Sequence, residues 1–194
     1  INHVRDSSSH NEHATLTLIA KNQLGYNNLI KLISKSQIVG KTSGIPVIET
    51  EWLAEHSDGL IALSGGFRGH IGKAVLDTNH DLFLKRIKYF QKIFKEDFIL
   101  EISRINRPQE DTYNDYILSK AGELGLPVVA SNEVRFIDKE DYEAHETRVC
   151  IQKGEVLSDT RRTRSYFEDQ YFLSPEERYE KFKDIPEVLS NAYE

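Results

Sequence analysis

The stretch Leu126-Pro127-Val128-Val129-Ala130-Ser131-Asn132-Glu133-Val134-Arg135-Phe136-Ile137 decides how the chain is read. Gly125, just before it, suits the end of a helix. A short apolar run follows, with no alternation, which reads as a strand buried on both faces. The run then drops into Ser, Asn, Glu and Arg. That polar cluster sits at the strand's carboxyl end, the edge where α/β folds place ligands and chemistry. Asn132, Glu133 and Arg135 are therefore the first candidate site residues.

Working outward, the same pattern repeats. Thr15-Leu16-Thr17-Leu18-Ile19-Ala20 reads as a strand rich in β-branched and apolar residues. Asn22 suits an N-cap, and Tyr26, Leu29, Ile30 and Ile33 fall on one apolar helix face. Gly40 to Gly44 reads as a loop, and Ile45-Pro46 as extended chain. A short helix begins at Thr50 and ends near Gly59. Leu60-Ile61-Ala62-Leu63-Ser64 is a second buried strand, closed by Gly65-Gly66. That glycine pair either cradles a phosphate in its backbone amides or, since it lacks the Lys-Ser/Thr of a P-loop and the third Gly of a dinucleotide fingerprint, reads as a tight strand-to-helix turn.

Phe83, Ile87, Phe90 and Phe94 mark an amphipathic helix, and Phe98 to Ile102 a third strand. Glu101 interrupts that strand. A carboxylate there either binds metal or caps the strand end and pairs with a nearby Arg. Pro108 suits the first turn of a helix with Tyr113, Tyr116, Ile117, Ala121 and Leu124 facing inward. Asp138 suits the cap of a helix carrying Tyr142, His145, Val149 and Cys150. Ser174-Pro175-Glu176-Glu177 is a helix start, and Asp184-Ile185-Pro186-Glu187 repeats it. The order β-α, β-α-α, β-α, β-α implies an α/β fold with parallel strands and helical crossovers.

The totals restrict the function classes. The chain has 194 residues, 39% hydrophobic and 29% charged, as in a soluble globular protein. No apolar run approaches the roughly 20 residues that cross a membrane. One cysteine, Cys150, excludes a disulfide framework or a Cys-rich zinc site and reads as core; a reducing cytoplasm fits. A formal net charge of -6 argues against a whole-surface nucleic-acid binder. There is no Met, so the chain reads as a piece of something longer. His3, His10 and His13 in the polar opening segment are either metal-gathering or, as the spacing favours, part of a solvated loop. Arg161, Arg162 and Arg164 lie in an irregular stretch that is either a phosphate or interdomain contact or a solvated loop.

Several of these segments carry a resemblance. They are Thr15 to Asn22 leading to Gly25-Tyr26-Asn27-Asn28-Leu29, Gly59 to Gly66, Leu126 to Ile137, Asp141 to Ile151, and Asp184-Ile185-Pro186-Glu187. In that order, from about residue 14 to the end, they resemble the PHP (polymerase and histidinol phosphatase) domain of bacterial DNA polymerase III alpha subunits. The resemblance implies a distorted seven-stranded β/α barrel, here partial: residues 1–154 lack its first strands and their His-x-His motif. Residues 155–194 would be a C-terminal extension with two short helices, leading to the next polymerase domain. An exposed strand edge near Thr15 to Ala20 is then a liability for self-association.

Active relatives bind a cluster of divalent metal ions and hydrolyse phosphoesters with metal-activated water. The resemblance places Thr15 where such relatives have a His ligand. It retains Glu101. It reads Asn132-Glu133-Val134-Arg135 where the family usually has Asn-Asp-Val-His. Arg cannot coordinate a metal, because its guanidinium has no free lone pair and stays protonated. The expectation is a vestigial cleft at Thr15, Glu101, Glu133 and Arg135, with no catalytic residue and no cofactor in this chain. Arg135 would pair with Glu101 and Glu133 in place of a cation. The implied role is DNA replication, in the cytoplasm, as a structural domain of a DNA-directed DNA polymerase (a nucleotidyltransferase). Its implied partners are the other alpha-subunit domains, the epsilon proofreading exonuclease, and DNA through the whole polymerase. The competing readings are an active phosphoesterase or 3′–5′ exonuclease and a free-standing interaction module.

Overall fold

The computed structural model describes residues 3–5, 13–42 and 44–193. The elements, in order, are β1 (Val4–Arg5), β2 (His13–Ala14), β3 (Thr17–Ala20), α1 (Gln23–Ile38), β4 (Lys41–Thr42), β5 (Ile45–Pro46), β6 (Ile48–Glu49) and α2 (Thr50–Glu55). Then come β7 (Leu60–Leu63), α3 (His70–Leu76), α4 (His80–Phe94), β8 (Phe98–Ser103), α5 (Glu110–Leu124), β9 (Val128–Ser131), α6 (Tyr142–Lys153), α7 (Pro175–Phe182) and α8 (Glu187–Ser190). The class is mixed α/β. The chain divides into two compact units, one of Ile1–Glu101 with Asp115–Val128, the other of Ile102–Asn114 with Val129–Glu194. The loop expected around His10 lies outside the described residues.

The first unit is built on a four-stranded sheet of order β3-β7-β8-β9, which β8 and β9 enter with their leading residues. β7 and β8 run parallel, with Ala62 opposite Phe98. β3 and β7 run antiparallel, Thr17 opposite Leu63, which corrects the expected all-parallel arrangement. About forty residues separate these strands, and they include α1, the β4–β5 hairpin and α2. So long a connection lets the chain re-enter from either end, and the handed crossover rule applies only to parallel neighbours. A second sheet, β2-β1-β6, holds the N-terminal pieces. Leu16, Leu32, Leu53, Ile71, Phe83 and Leu100 fill the core of this unit. The expected face of α4 is buried at Phe83, Ile87, Phe90 and Phe94, with the rings of Phe90 and Phe98 stacked 5.5 Å apart.

Helix α1 starts where expected, with Asn22 Oδ1 accepting from the Gly25 N–H at 3.0 Å. Its buried face is not the expected one. Gly25, Asn28, Leu32 and Ser36 face inward, while Tyr26, Ile30 and Ile33 are exposed and Leu29 is half-buried. The cause is a backbone-to-backbone approach: a Cβ on Gly25 would sit 1.8 Å from the Gly59 carbonyl oxygen. Asn28 adds a donor to the Asp58 carbonyl at 2.9 Å. Close contact along this small and polar face outweighs the apolar stripe. The segment expected as a loop at Gly40 to Gly44 instead contains β4, which pairs with β5.

In the second unit, Ile105, Tyr113, Phe136, Val149, Cys150 and Phe182 are buried, as expected for Cys150. Pro108 lies two residues ahead of α5 rather than in its first turn. α7 begins with the expected capping box: Ser174 Oγ accepts from the Glu177 N–H, and Glu177 accepts from the Ser174 N–H. Arg178 of α7 donates to the Ala130 carbonyl of β9 at 2.9 Å. No described helix is long and apolar enough to cross a membrane.

Candidate functional site

In the first unit, the carboxyl end of β7 leads into Ser64-Gly65-Gly66. Both glycines have positive φ, 79° and 54°. A Cβ on Gly65 would lie 2.0 Å from the Thr15 carbonyl oxygen, so only Gly fits beside that backbone. The Thr15 N–H donates to the Arg68 carbonyl at 3.0 Å. On the other side, a Cβ on Gly66 would lie 3.9 Å from Glu101 Cγ. The Glu101 N–H donates to the buried Ser64 hydroxyl at 3.0 Å, and Glu101 itself is buried. The diglycine turn thus sits between Thr15 and Glu101, and close packing explains it without a bound phosphate.

In the second unit, β9 delivers Asn132 to Phe136 against residues 169–171. Asn132 Nδ2 donates to the Tyr171 carbonyl at 2.6 Å. Gln170, fully buried, donates to the Glu133 carbonyl at 3.0 Å, and its own carbonyl accepts from the Arg135 N–H at 2.7 Å. Glu133 is held at φ 44°, a left-handed conformation that non-glycine residues adopt at a cost. Its carboxylate accepts from Arg107 Nη2 at 2.8 Å; the Arg107 side chain is 5% exposed and that of Glu133 18%. Arg107 also lies 5.6 Å from the Phe167 ring centroid.

This corrects the expected partner of Glu133. Among the described residues the guanidinium on that carboxylate belongs to Arg107, while Arg135 is exposed and lies over the Tyr166 ring at 5.5 Å. The tight backbone bond to Gln170 and the left-handed turn at Glu133 aim Arg135 outward. The sequence reading missed Arg107. Its signal was position: it stands just past β8 and before Pro108, which restricts it to extended backbone.

Nearby groups are also perturbed. His145 packs between Phe136 and Tyr166, with centroids at 5.5 and 4.6 Å. Burial, then the Arg148 charge, pulls its pKa below the ordinary 6.5. Glu110 accepts from Ser103 Oγ at 2.9 Å and from the Ile105 N–H at 2.8 Å, yet burial still raises its pKa.

The three arginines separate. Arg161 is exposed and pairs with Asp159 at 3.0 Å. Arg162 pairs with the buried Glu146 at 2.5 Å, their side chains 6% and 2% exposed. Arg164 interacts with the Tyr142 hydroxyl and lines a pocket of about 300 Å³ with Asn106, Lys139 and Asp169.

As donors for a divalent cation cluster, these residues fit poorly. Thr15 offers a neutral hydroxyl, Glu133 is engaged by a buried guanidinium, and Arg135 has no lone pair to give. Glu101 keeps a suitable carboxylate.

A PHP domain family model matches residues 3–105. The chain is 46% identical over 179 residues to the DNA polymerase III subunit alpha of Vibrio cholerae, covering 92% of this chain and 15% of that protein. Against the subunit of the same name from Escherichia coli it is 44% identical over 179 residues, with the same coverage. Against that of Haemophilus influenzae it is 42% identical over 181 residues, covering 93% of this chain and 16% of the relative. The chain thus spans about 15% of the length of these relatives.

Proposed function

The chain belongs to the PHP domain family, and from that premise we propose that it is part of a bacterial DNA polymerase III alpha subunit whose PHP cleft is metal-free and catalytically silent. The single observation that carries this reading is the Arg107–Glu133 ion pair. At the position where the family supplies a metal-binding carboxylate, the negative charge is already neutralised by a desolvated guanidinium. A cation would have to displace that guanidinium and leave it buried without its carboxylate, which is costly. Thr15 and Arg135 remove two further ligands.

On this reading the strands form part of a distorted seven-stranded β/α barrel, and residues 155–194 lead toward the next polymerase domain. The domain serves as a structural element and as a docking surface for the epsilon proofreading exonuclease in cytoplasmic DNA replication; DNA is met by the whole polymerase. The second reading, an active phosphoesterase or 3′–5′ exonuclease, draws support from two features. Glu101 is a buried carboxylate, and the His3 and His13 rings lie edge to face 5.6 Å apart.

Pull-down of the proofreading exonuclease with the intact protein, beside a nuclease assay with and without chelator, tests the choice. The proposal expects capture and no chelator-sensitive nucleotide release by the subunit alone. Failure of capture removes the docking role. Release that disappears on Glu101→Ala establishes the second reading.

A further inference from the structure

A cavity of about 370 Å³ in the first unit has no place in the proposed function. Thr50, His70, Arg86 and Phe90, all buried, form its inner part. Arg86 is held there by a bond from Nη1 to the His70 carbonyl at 2.6 Å, and His70 Nε2 lies 3.1 Å from the Val4 carbonyl oxygen. These contacts fix the inner wall. The rim is different: Lys85, Lys88, Tyr89 and Lys92 are exposed and line the same cavity from α4.

Their spacing is i, i+3, i+4 and i+7, which stacks them on one helix face. Three ammonium groups and a phenol ring therefore share one wall, with Arg86 beneath. Glu51, of α2, is the lining carboxylate. In a chain of net charge -6, this concentrates positive charge at a concave site, where low-dielectric walls focus the field.

A stripe of lysines on a flat helix needs only water. Here it borders a hollow at the lower end of the size range of small-molecule sites. The hollow carries aromatic surface, with the Tyr89 and Phe90 rings edge to face at 5.7 Å. A free phosphate would use the cations and leave the rings idle. An apolar ligand would do the reverse. A nucleotide uses both: its base packs on the aromatic wall and its phosphates meet the lysines. We propose that this cavity binds a nucleoside triphosphate, with Lys85, Lys88 and Lys92 holding the phosphates and Tyr89 packing against the base.

The test is photolabelling of the intact protein with azido-ATP, followed by peptide mapping. The proposal expects saturable label on the segments around Thr50 or Lys85–Lys92, protected by excess ATP and not by adenosine. Lys85→Gln, Lys88→Gln and Lys92→Gln together should lower that label at least about tenfold, the size expected when close charge pairs are lost. Tyr89→Ala alone, with all three lysines kept, should lower it by several-fold. Absence of label at these segments overturns the proposal, as does label that the lysine changes leave intact. Protection by adenosine as strong as that by ATP shows an apolar pocket instead. Protection by an oligothymidylate and not by ATP shows a single-stranded DNA site.

Discussion

Arg107→Met removes the guanidinium from Glu133 and keeps most of the side chain's volume. What remains is a carboxylate 18% exposed, on a residue fixed at φ 44° by the bond to Gln170, so it cannot swing freely into water. Breaking a fully buried pair costs about 3–5 kcal/mol. The partial wetting of Glu133 lowers the expectation to about 2–3 kcal/mol. Glu133→Gln keeps a hydrogen-bond acceptor and loses the charge, so it should cost about 1–2 kcal/mol. Because the two changes remove one shared interaction, the double variant should cost less than their sum, by about 1–2 kcal/mol. Pulse proteolysis across a urea series reads all four proteins. Additivity within about 0.5 kcal/mol would refute the reasoning, because the two side chains would then be energetically independent.

Further expectations follow from single contacts. Arg162→Ala strands the buried Glu146 carboxylate and should cost about 3 kcal/mol, whereas Arg161→Ala, at a side chain 89% exposed, should stay within about 0.5 kcal/mol in the same urea series. Gly25→Ala should destabilise by about 3 kcal/mol or more despite the helix preference for Ala, since the methyl meets the Gly59 carbonyl. Gly122→Ala, in α5 with nothing within 4 Å, should instead stabilise by about 0.5–1 kcal/mol by thermal melting. Because the folded His145 binds its proton less readily than the unfolded one, its contribution is full above pH 6.5 and lost as pH falls below that value. Urea midpoints should drop from about pH 7.5 to about pH 5, and His145→Phe should flatten the drop.

Much of the fold was legible because it is local. Asn22, the Ser174–Glu177 box and the Phe83–Phe94 stripe act within one helix, and each does what its spacing implies. The run ending at Ala130 also becomes a strand with its polar cluster at the carboxyl end. What failed is non-local. Nothing in Tyr26, Ile30 or Ile33 reveals that Gly25 must touch Gly59, and that contact turns their stripe to solvent. The direction of β3 depends on how a long connection returns, which strand composition does not encode. At the site, the residue types were readable and the pairing was not. Glu133 does meet an arginine, but one 26 positions away, because Gln170 fixes the backbone and Arg135 is carried outward to Tyr166. The idea that a guanidinium neutralises this carboxylate therefore rests on Arg107.

Elemental analysis of the intact protein by mass spectrometry, after dialysis against zinc, manganese and iron, measures this most directly. With Arg107 on Glu133, the account predicts no stoichiometric metal in the wild type. One or more equivalents of metal retained by the wild type and lost on Glu133→Gln or Glu101→Ala would contradict it.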